Sequence, residues 1–309
     1  NTLPGVARAQ HAFTSLDGER YAAIGTSQGL FLYYGGAFYD ITPLAGNLGA
    51  TTITTTASSA VVTLTSTSHG LSAGDIILLS STTLPGGTGY TAADFDDKLF
   101  QVTSVTDANN FTITQSSAAT GSAGPGGSVT VTPYETVGPA AQSYGYGWGT
   151  DTWGAGGWGD ASSAQDVILE PGLWSLDNFG QVLIATIANG KTFTWNAGAA
   201  APLTVRASTS TSGFETTNNP TATRLSLVSP TTRHLCHFGT ETTIGDTTTQ
   251  DDMFIRFSDQ ENINLYAQTA INAAGSFRLQ DGTRIVGALK AKETILVWTD
   301  NALYTMKYI

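Results

Sequence analysis

Residues 174–195, WSLDNFGQVLIATIANGKTFTW, constrain the fold of this chain more than any other stretch. Val182–Ile187 is an apolar run interrupted only by Thr186. Asn189-Gly190 follows, the commonest two-residue hairpin turn, because both central positions of that turn need positive φ. Phe193 and Trp195 then alternate with Thr192 and Thr194, giving one apolar and one polar face. The pattern predicts a β-hairpin whose first strand is covered on both faces.

Similar units recur along the chain. Residues 21–24 are apolar, 25–29 turn, 30–34 return as a strand, and 37–43 read as the outer strand of the same sheet. Residues 233–238 form a strand with His234, Cys236 and Phe238 on one side and Leu235 and His237 on the other, and residues 253–257 form another. The last unit runs from 295 to 298, turns at Thr299-Asp300-Asn301, and returns over 302–308 with Ala302, Tyr304, Met306 and Tyr308 on one face. The units repeat at roughly fifty to sixty residues, close to the spacing of propeller blades. Propellers have about four to eight blades, and about four are visible here. Ile309 falls in the middle of a unit, so the expectation is a ring completed by further sequence or an open set of sheets.

Near residue 50 the composition changes. Residues 51–133 are rich in Thr, Ser and Gly, with strand-like runs at 61–65, 75–80, 99–105 and 111–114. Asp107-Ala108-Asn109-Asn110 supplies turn chemistry between the last two, and residues 122–128 (SAGPGGS) read as an exit linker. The predicted fold is therefore all-β: a β-propeller-like domain made of residues 1–50 and 134–309, interrupted by a small β-barrel over 51–133.

Composition narrows the function. Hydrophobic residues make up 40% of the 309 and charged residues 12%, with 35 glycines, which excludes a charged disordered chain. The net charge of −11 repels polyanions. The single cysteine, Cys236, rules out an intrachain disulfide and fits assembly in a reducing compartment. No run reaches membrane-spanning length. Asn1 in place of Met points to a processed chain or part of a longer product.

Candidate chemistry is sparse. Residues 189–192 contain Gly-Lys-Thr, but a phosphate loop needs a second glycine where Ala185 stands, and the segment is a hairpin. His234, Cys236 and His237 suggest a metal, yet His237 points away from the other two, so a half-buried strand is the better reading. Asp177, Asp259, Glu261 and Asp300 are possible glycosidase carboxylates, each placed where a turn needs a local acceptor. No catalytic constellation, metal site or cofactor is expected. The most unusual feature is residues 144–159, YGYGWGTDTWGAGGWG. Tyr144, Tyr146, Trp148, Trp153 and Trp158 could stack on sugars or bases, but no basic residue accompanies them, which favours packing or a subunit interface.

Several stretches together resemble a family of tailed-bacteriophage structural proteins, similar to the propeller-bearing tail nozzle, or hub, proteins of short-tailed phages. They are residues 30–43 (LFLYYGGAFYDITP), 144–149 (YGYGWG), 174–180 (WSLDNFG), 257–262 (FSDQEN), 274–280 (AGSFRLQ) and 294–300 (TILVWTD), in the family's order. The resemblance implies a non-enzymatic virion protein, assembled in the host cytoplasm as a homo-oligomeric ring, expected hexameric, that forms part of the DNA-ejection conduit. Its implied partners are neck, adaptor or portal-side proteins and tail fibre or needle proteins, with DNA passing through unbound. The alternative is a tail-associated glycan-binding adhesin, motivated by the aromatic tract and the Thr-rich barrel. The insert resembles a phage module similar to the first catalytic-cysteine half-domain of ubiquitin-activating enzymes, on residues 68–75 (SHGLSAGD), 100–102 and 110–113. It contains no cysteine, so only the small barrel is implied, with His69 holding a turn.

Overall fold

The computed structural model describes residues 3–138, 171–209 and 219–307. The chain forms two compact units, Asn1–Ile41 with Val137–Ile309, and Thr42–Thr136. The first sheet comprises β1 (Ala7–Thr14), β2 (Arg20–Thr26), β3 (Leu30–Tyr34) and β4 (Ala37–Asp40), paired in chain order.

The second unit is a closed six-stranded barrel. Its strands are β5 (Leu48–Thr55), β6 (Val61–Thr65), β7 (Ile76–Thr83), β8 (Lys98–Val105), β9 (Asn110–Thr114) and β10 (Ala123–Pro133), ordered β10-β5-β6-β9-β8-β7. Alternate residues point inward, so Val62 and Leu64, Ile77 and Leu79, and Phe111 and Ile113 fill the interior. Residues 122–128 are not an exit linker: most of them open β10, the strand that closes the barrel by pairing with both β5 and β7. Its register shifts against both neighbours, three times along β5. Gly124 (φ 103°) and Gly127 (φ 64°) make those shifts possible, since a Cβ at either would strike the carbonyl of Ile53 or Thr83.

Three more sheets follow in the first unit. Sheet two is β11 (Trp174–Phe179), β12 (Val182–Ile187) and β13 (Thr192–Asn196). Sheet three is β14 (Thr223–Val228), β15 (Leu235–Thr240), β16 (Phe254–Phe257) and β17 (Gly275–Arg278). Sheet four is β18 (Ile285–Lys290), β19 (Ile295–Thr299) and β20 (Leu303–Met306). Every sheet is an antiparallel up-and-down meander, the build of a propeller blade.

Each sheet packs on the next. Phe13, Tyr21 and Leu32 of sheet one meet Leu183, Phe193 and Trp195 of sheet two. The Trp195 ring sits edge-on to Tyr21, with centroids 5.3 Å apart. Ile184 of sheet two meets Val228 and Leu235 of sheet three, while Cys236 and Phe238 on the other side of β15 meet Ile295 and Val297 of sheet four. A middle sheet is thus covered on both faces. The polar threonine face of β13 is itself buried: the Thr186 hydroxyl lies 2.8 Å from that of Thr192 and 2.5 Å from that of Ser226 in sheet three. Likewise β15 is buried at all six positions, not half-buried. The hairpin turn differs too. Only Asn189 is left-handed (φ 58°), and Gly190 donates to the Ile187 carbonyl at 2.9 Å, because the loop tip bonds across to Thr223 instead of standing free.

Gly25 in β2 lies against the Trp174 indole, whose Nε1–H donates to the Thr26 carbonyl at 2.9 Å. A methyl group there would overlap the ring. Gly25→Ala should lower the stability of this unit by about 2 kcal/mol through overpacking. Urea unfolding followed by tryptophan fluorescence reads this unit alone, since all six tryptophans lie outside residues 42–136. An unchanged midpoint would show that the ring does not fix this contact.

Candidate functional site: the cavity at the first strands

The first strands of the four sheets converge. Ser175 donates to the Ser226 carbonyl at 2.6 Å and Val228 N–H donates to Asp177 Oδ2 at 2.7 Å, both pairs being 51 residues apart. That constant offset means β11 and β14 lie side by side and run the same way. Between the first strands is a cavity of 1040 Å³, walled by His11 of β1, Ser175 and Asp177 of β11, Arg224 and Ser226 of β14, and Lys290 of β18.

Asp177 is the centre of this site and is only 3% exposed. Its Oδ2 accepts the Val228 N–H, and its Oδ1 accepts Lys290 Nζ at 2.6 Å and the Asn178 N–H at 2.8 Å. His11 Nε2 stands 3.9 Å from the same oxygen and 2.8 Å from Asn178 Oδ1. Because Asn178 Nδ2 donates to the Gly180 carbonyl, its oxygen faces the histidine, and His11 Nε2 carries the proton. One carboxylate therefore joins sheets two, three and four, and its neighbour Asn178 holds His11 of sheet one. It sits in mid-strand, not in a turn as its sequence context suggested, and both oxygens are occupied by donors, which leaves it poorly placed to take a proton from a substrate.

The remaining sequence candidates are dispersed. Asp259 accepts the Ala273 N–H at 2.8 Å and orders the loop after β16. Glu261 pairs with Arg233 at 3.1 Å on the surface. Asp300 accepts the Thr283 hydroxyl and N–H, and those bonds hold its carboxyl below the ordinary value. None of these three lines the cavity. His234 Nδ1 contacts the Ser258 carbonyl at 2.7 Å, whereas His237 Nε2 contacts the Tyr266 hydroxyl at 2.8 Å, so the two rings serve different partners. Burial raises the Cys236 thiol to about 12, the mark of an inert packing residue. No metal-type cluster occurs among the described residues. Residues 189–192 form the docked hairpin tip. In the barrel, His69 Nδ1 accepts the Leu71 N–H at 3.0 Å and its Nε2 donates to the Asp107 carbonyl at 3.1 Å, joining two turns. Tyr144, Tyr146, Trp148, Trp153 and Trp158 lie outside the described residues.

Sheet three holds a second polar cluster with no signal in the sequence. The buried Glu241 carboxylate accepts the Thr221 N–H at 3.1 Å and the Gly245 N–H at 2.7 Å, and Arg256 donates to the carbonyls of Glu241 and Thr242. Burial, reinforced by the charge of Arg256, lowers His237 from 6.5 to about 3, so the ring is neutral in the folded state.

No protein-family model matches the chain, and no curated protein matches it. Among solved structures it is similar to the phage phi92 endosialidase, at 15% identity and a TM-score of 0.25. That similarity covers 93% of this chain, which spans 40% of the length of the endosialidase.

Two outcomes test the site. Asp177→Ala leaves the Val228 N–H and Lys290 without their acceptor and should cost about 3 kcal/mol, whereas Asp177→Asn, which keeps one acceptor, should cost about half as much. An alanine variant within about 0.5 kcal/mol of the parent would remove the carboxylate from its central place. For His237 the folded state resists protonation while the unfolded chain accepts it, so its contribution is complete above pH 6.5 and declines as pH falls toward 3. Between pH 7.5 and pH 5 this amounts to about 2 kcal/mol. Urea midpoints at the two pH values should show a fall that His237→Gln reduces; equal falls in both proteins would refute the assignment.

Proposed function

We propose that this chain is a structural subunit of a tailed-phage virion, a tail nozzle or hub protein without catalytic activity of its own. The observation that carries this reading is the use made of Asp177: the buried carboxylate of the central cavity is bound by two backbone N–H groups and a lysine from three sheets. Such a site holds a rigid body together and leaves no base poised for chemistry. The ordered set of resembling stretches agrees with it, as does an all-β body of packed meanders.

In this reading six copies form a ring around the exit path for DNA, with the aromatic tract at 144–159 at contacts between copies. The net charge of −11 gives that path a surface to which phosphates do not adhere, because tight DNA binding depends on cations neutralising the backbone. Neck or portal-side proteins above and fibre or needle proteins below are the partners.

Negative-stain imaging of purified virions with gold-labelled antibody tests the role. Label should gather at the tail axis; label on tail fibres or capsid faces would overturn it. A glycan array supplies the opposing outcome: a signal abolished by Trp153→Ala with Trp158→Ala would make the chain an adhesin.

A further inference from the structure

Sheet three carries a buried cation that its own fold leaves partly unused. Arg256 in β16 is 9% exposed, and its Nη2 donates to the carbonyls of Glu241 at 3.2 Å and Thr242 at 2.7 Å. Its Nε–H and its Nη1 hydrogens have no acceptor among the described residues. Glu241, the buried carboxylate of the same cluster, is committed to the Thr221 N–H and hydroxyl and to the Gly245 N–H. Its charge acts on Arg256 from beyond ion-pair distance. A buried donor without an acceptor is costly, so packing alone gives no reason to keep a guanidinium here.

Arg256 lines a groove of 560 Å³ formed by the loop after β15, the loop after β16 and the strand β17. No carboxylate occurs among the described residues that line it. The half-buried Phe254 and Leu265 supply apolar surface, and Thr243, Gln268 and Ser276 supply hydroxyl and amide groups. Gln268 Nε2 donates to Ser276 Oγ at 2.8 Å, which leaves the amide oxygen to accept and the serine hydroxyl to donate. The cation is fixed before any ligand arrives, by the two carbonyls on Nη2 and by the Phe254 ring, whose centroid is 5.3 Å from Cζ. Thr243, Ala267 and Gln268 are exposed, so the groove opens directly to solvent. We propose that this groove binds a small sugar acid, with its carboxylate on Arg256 and its hydroxyls on Thr243, Gln268 and Ser276. A single guanidinium in a chain of net charge −11 suits one negative charge better than the two or more of a phosphate or a polyanion. Phe254 presents a ring for the C–H face of a sugar, and the volume lies within the range of small-molecule sites. Binding here is independent of a place in the virion.

The test uses the full chain at neutral pH and constant ionic strength, with glucuronate and gluconate as probes, glucose as the uncharged analogue and inorganic phosphate as the competing oxyanion. Titration calorimetry should give saturable binding of at least one sugar acid, about tenfold or more tighter than glucose or phosphate. Ala267→Trp fills the groove from an exposed position and should abolish binding while leaving the melting temperature unchanged. Arg256→Lys keeps the charge but loses the planar donors that serve the two carbonyls, and should weaken binding about tenfold. Should that variant fail to fold, Ala267→Trp decides the matter alone. Arg233→Gln removes a cation that pairs with Glu261 outside the groove and should leave binding unchanged. Absence of saturable binding by both sugar acids, glucose or phosphate binding as tightly as they do, or unchanged binding in Ala267→Trp would overturn the site.

Discussion

The buried carboxylate of Asp177 is the constraint on which the four-sheet unit depends. A charge with 3% exposure is tolerated only when donors replace the water it has lost. Here those donors come from β11 itself, from the β14 backbone and from the β18 lysine, with the β1 histidine held close by Asn178. Moving sheet three or sheet four away would leave the carboxylate with an incomplete shell. Apolar packing between sheets is non-directional and would accept small slips. The carboxylate, which needs each donor within hydrogen-bonding distance, sets the register among the first strands.

Around that centre the interfaces between sheets differ in chemistry. The contact between sheets one and two is aromatic and aliphatic, and that between sheets three and four is aliphatic with the Cys236 thiol. Between sheets two and three, Ile184, Val228 and Leu235 share the interface with the hydroxyls of Thr186, Thr192 and Ser226. Hydroxyl pairs across a buried interface add direction that methyl groups lack. The middle pair of sheets is therefore fixed by hydrogen bonds that involve Ser175, Thr186 and Asp177.

The strands that were legible in the sequence are those whose side chains face apolar layers. Residues 183–187 and 30–32 stand out because they are buried on both faces. The first strands β1, β11, β14 and β18 were not legible as strands. Each carries groups such as His11, Asp177, Arg224 or Lys290 on the side that looks into the cavity, and a polar residue there reads locally as loop. In the barrel, β10 was concealed for a different reason, since the glycines that let it bend between two partners are the residues that mark linkers. The candidate site was hidden with its strands: Asp177 could be named as a carboxylate, but its partners could not.

By itself the sequence determined the all-β class, the recurrence of hairpin units, the distinct Thr- and Gly-rich segment and the acidic balance, because these follow from local periodicity and composition. Tertiary structure alone decided which residues meet. Val228, Lys290 and Asn178 lie 51, 113 and 1 residue from Asp177 in the chain, while Asn178 and His11 are separated by 167. Contacts across such separations arise only after the sheets have packed, and only then does a polar residue in a strand become a buried ion, a cavity wall or a surface group.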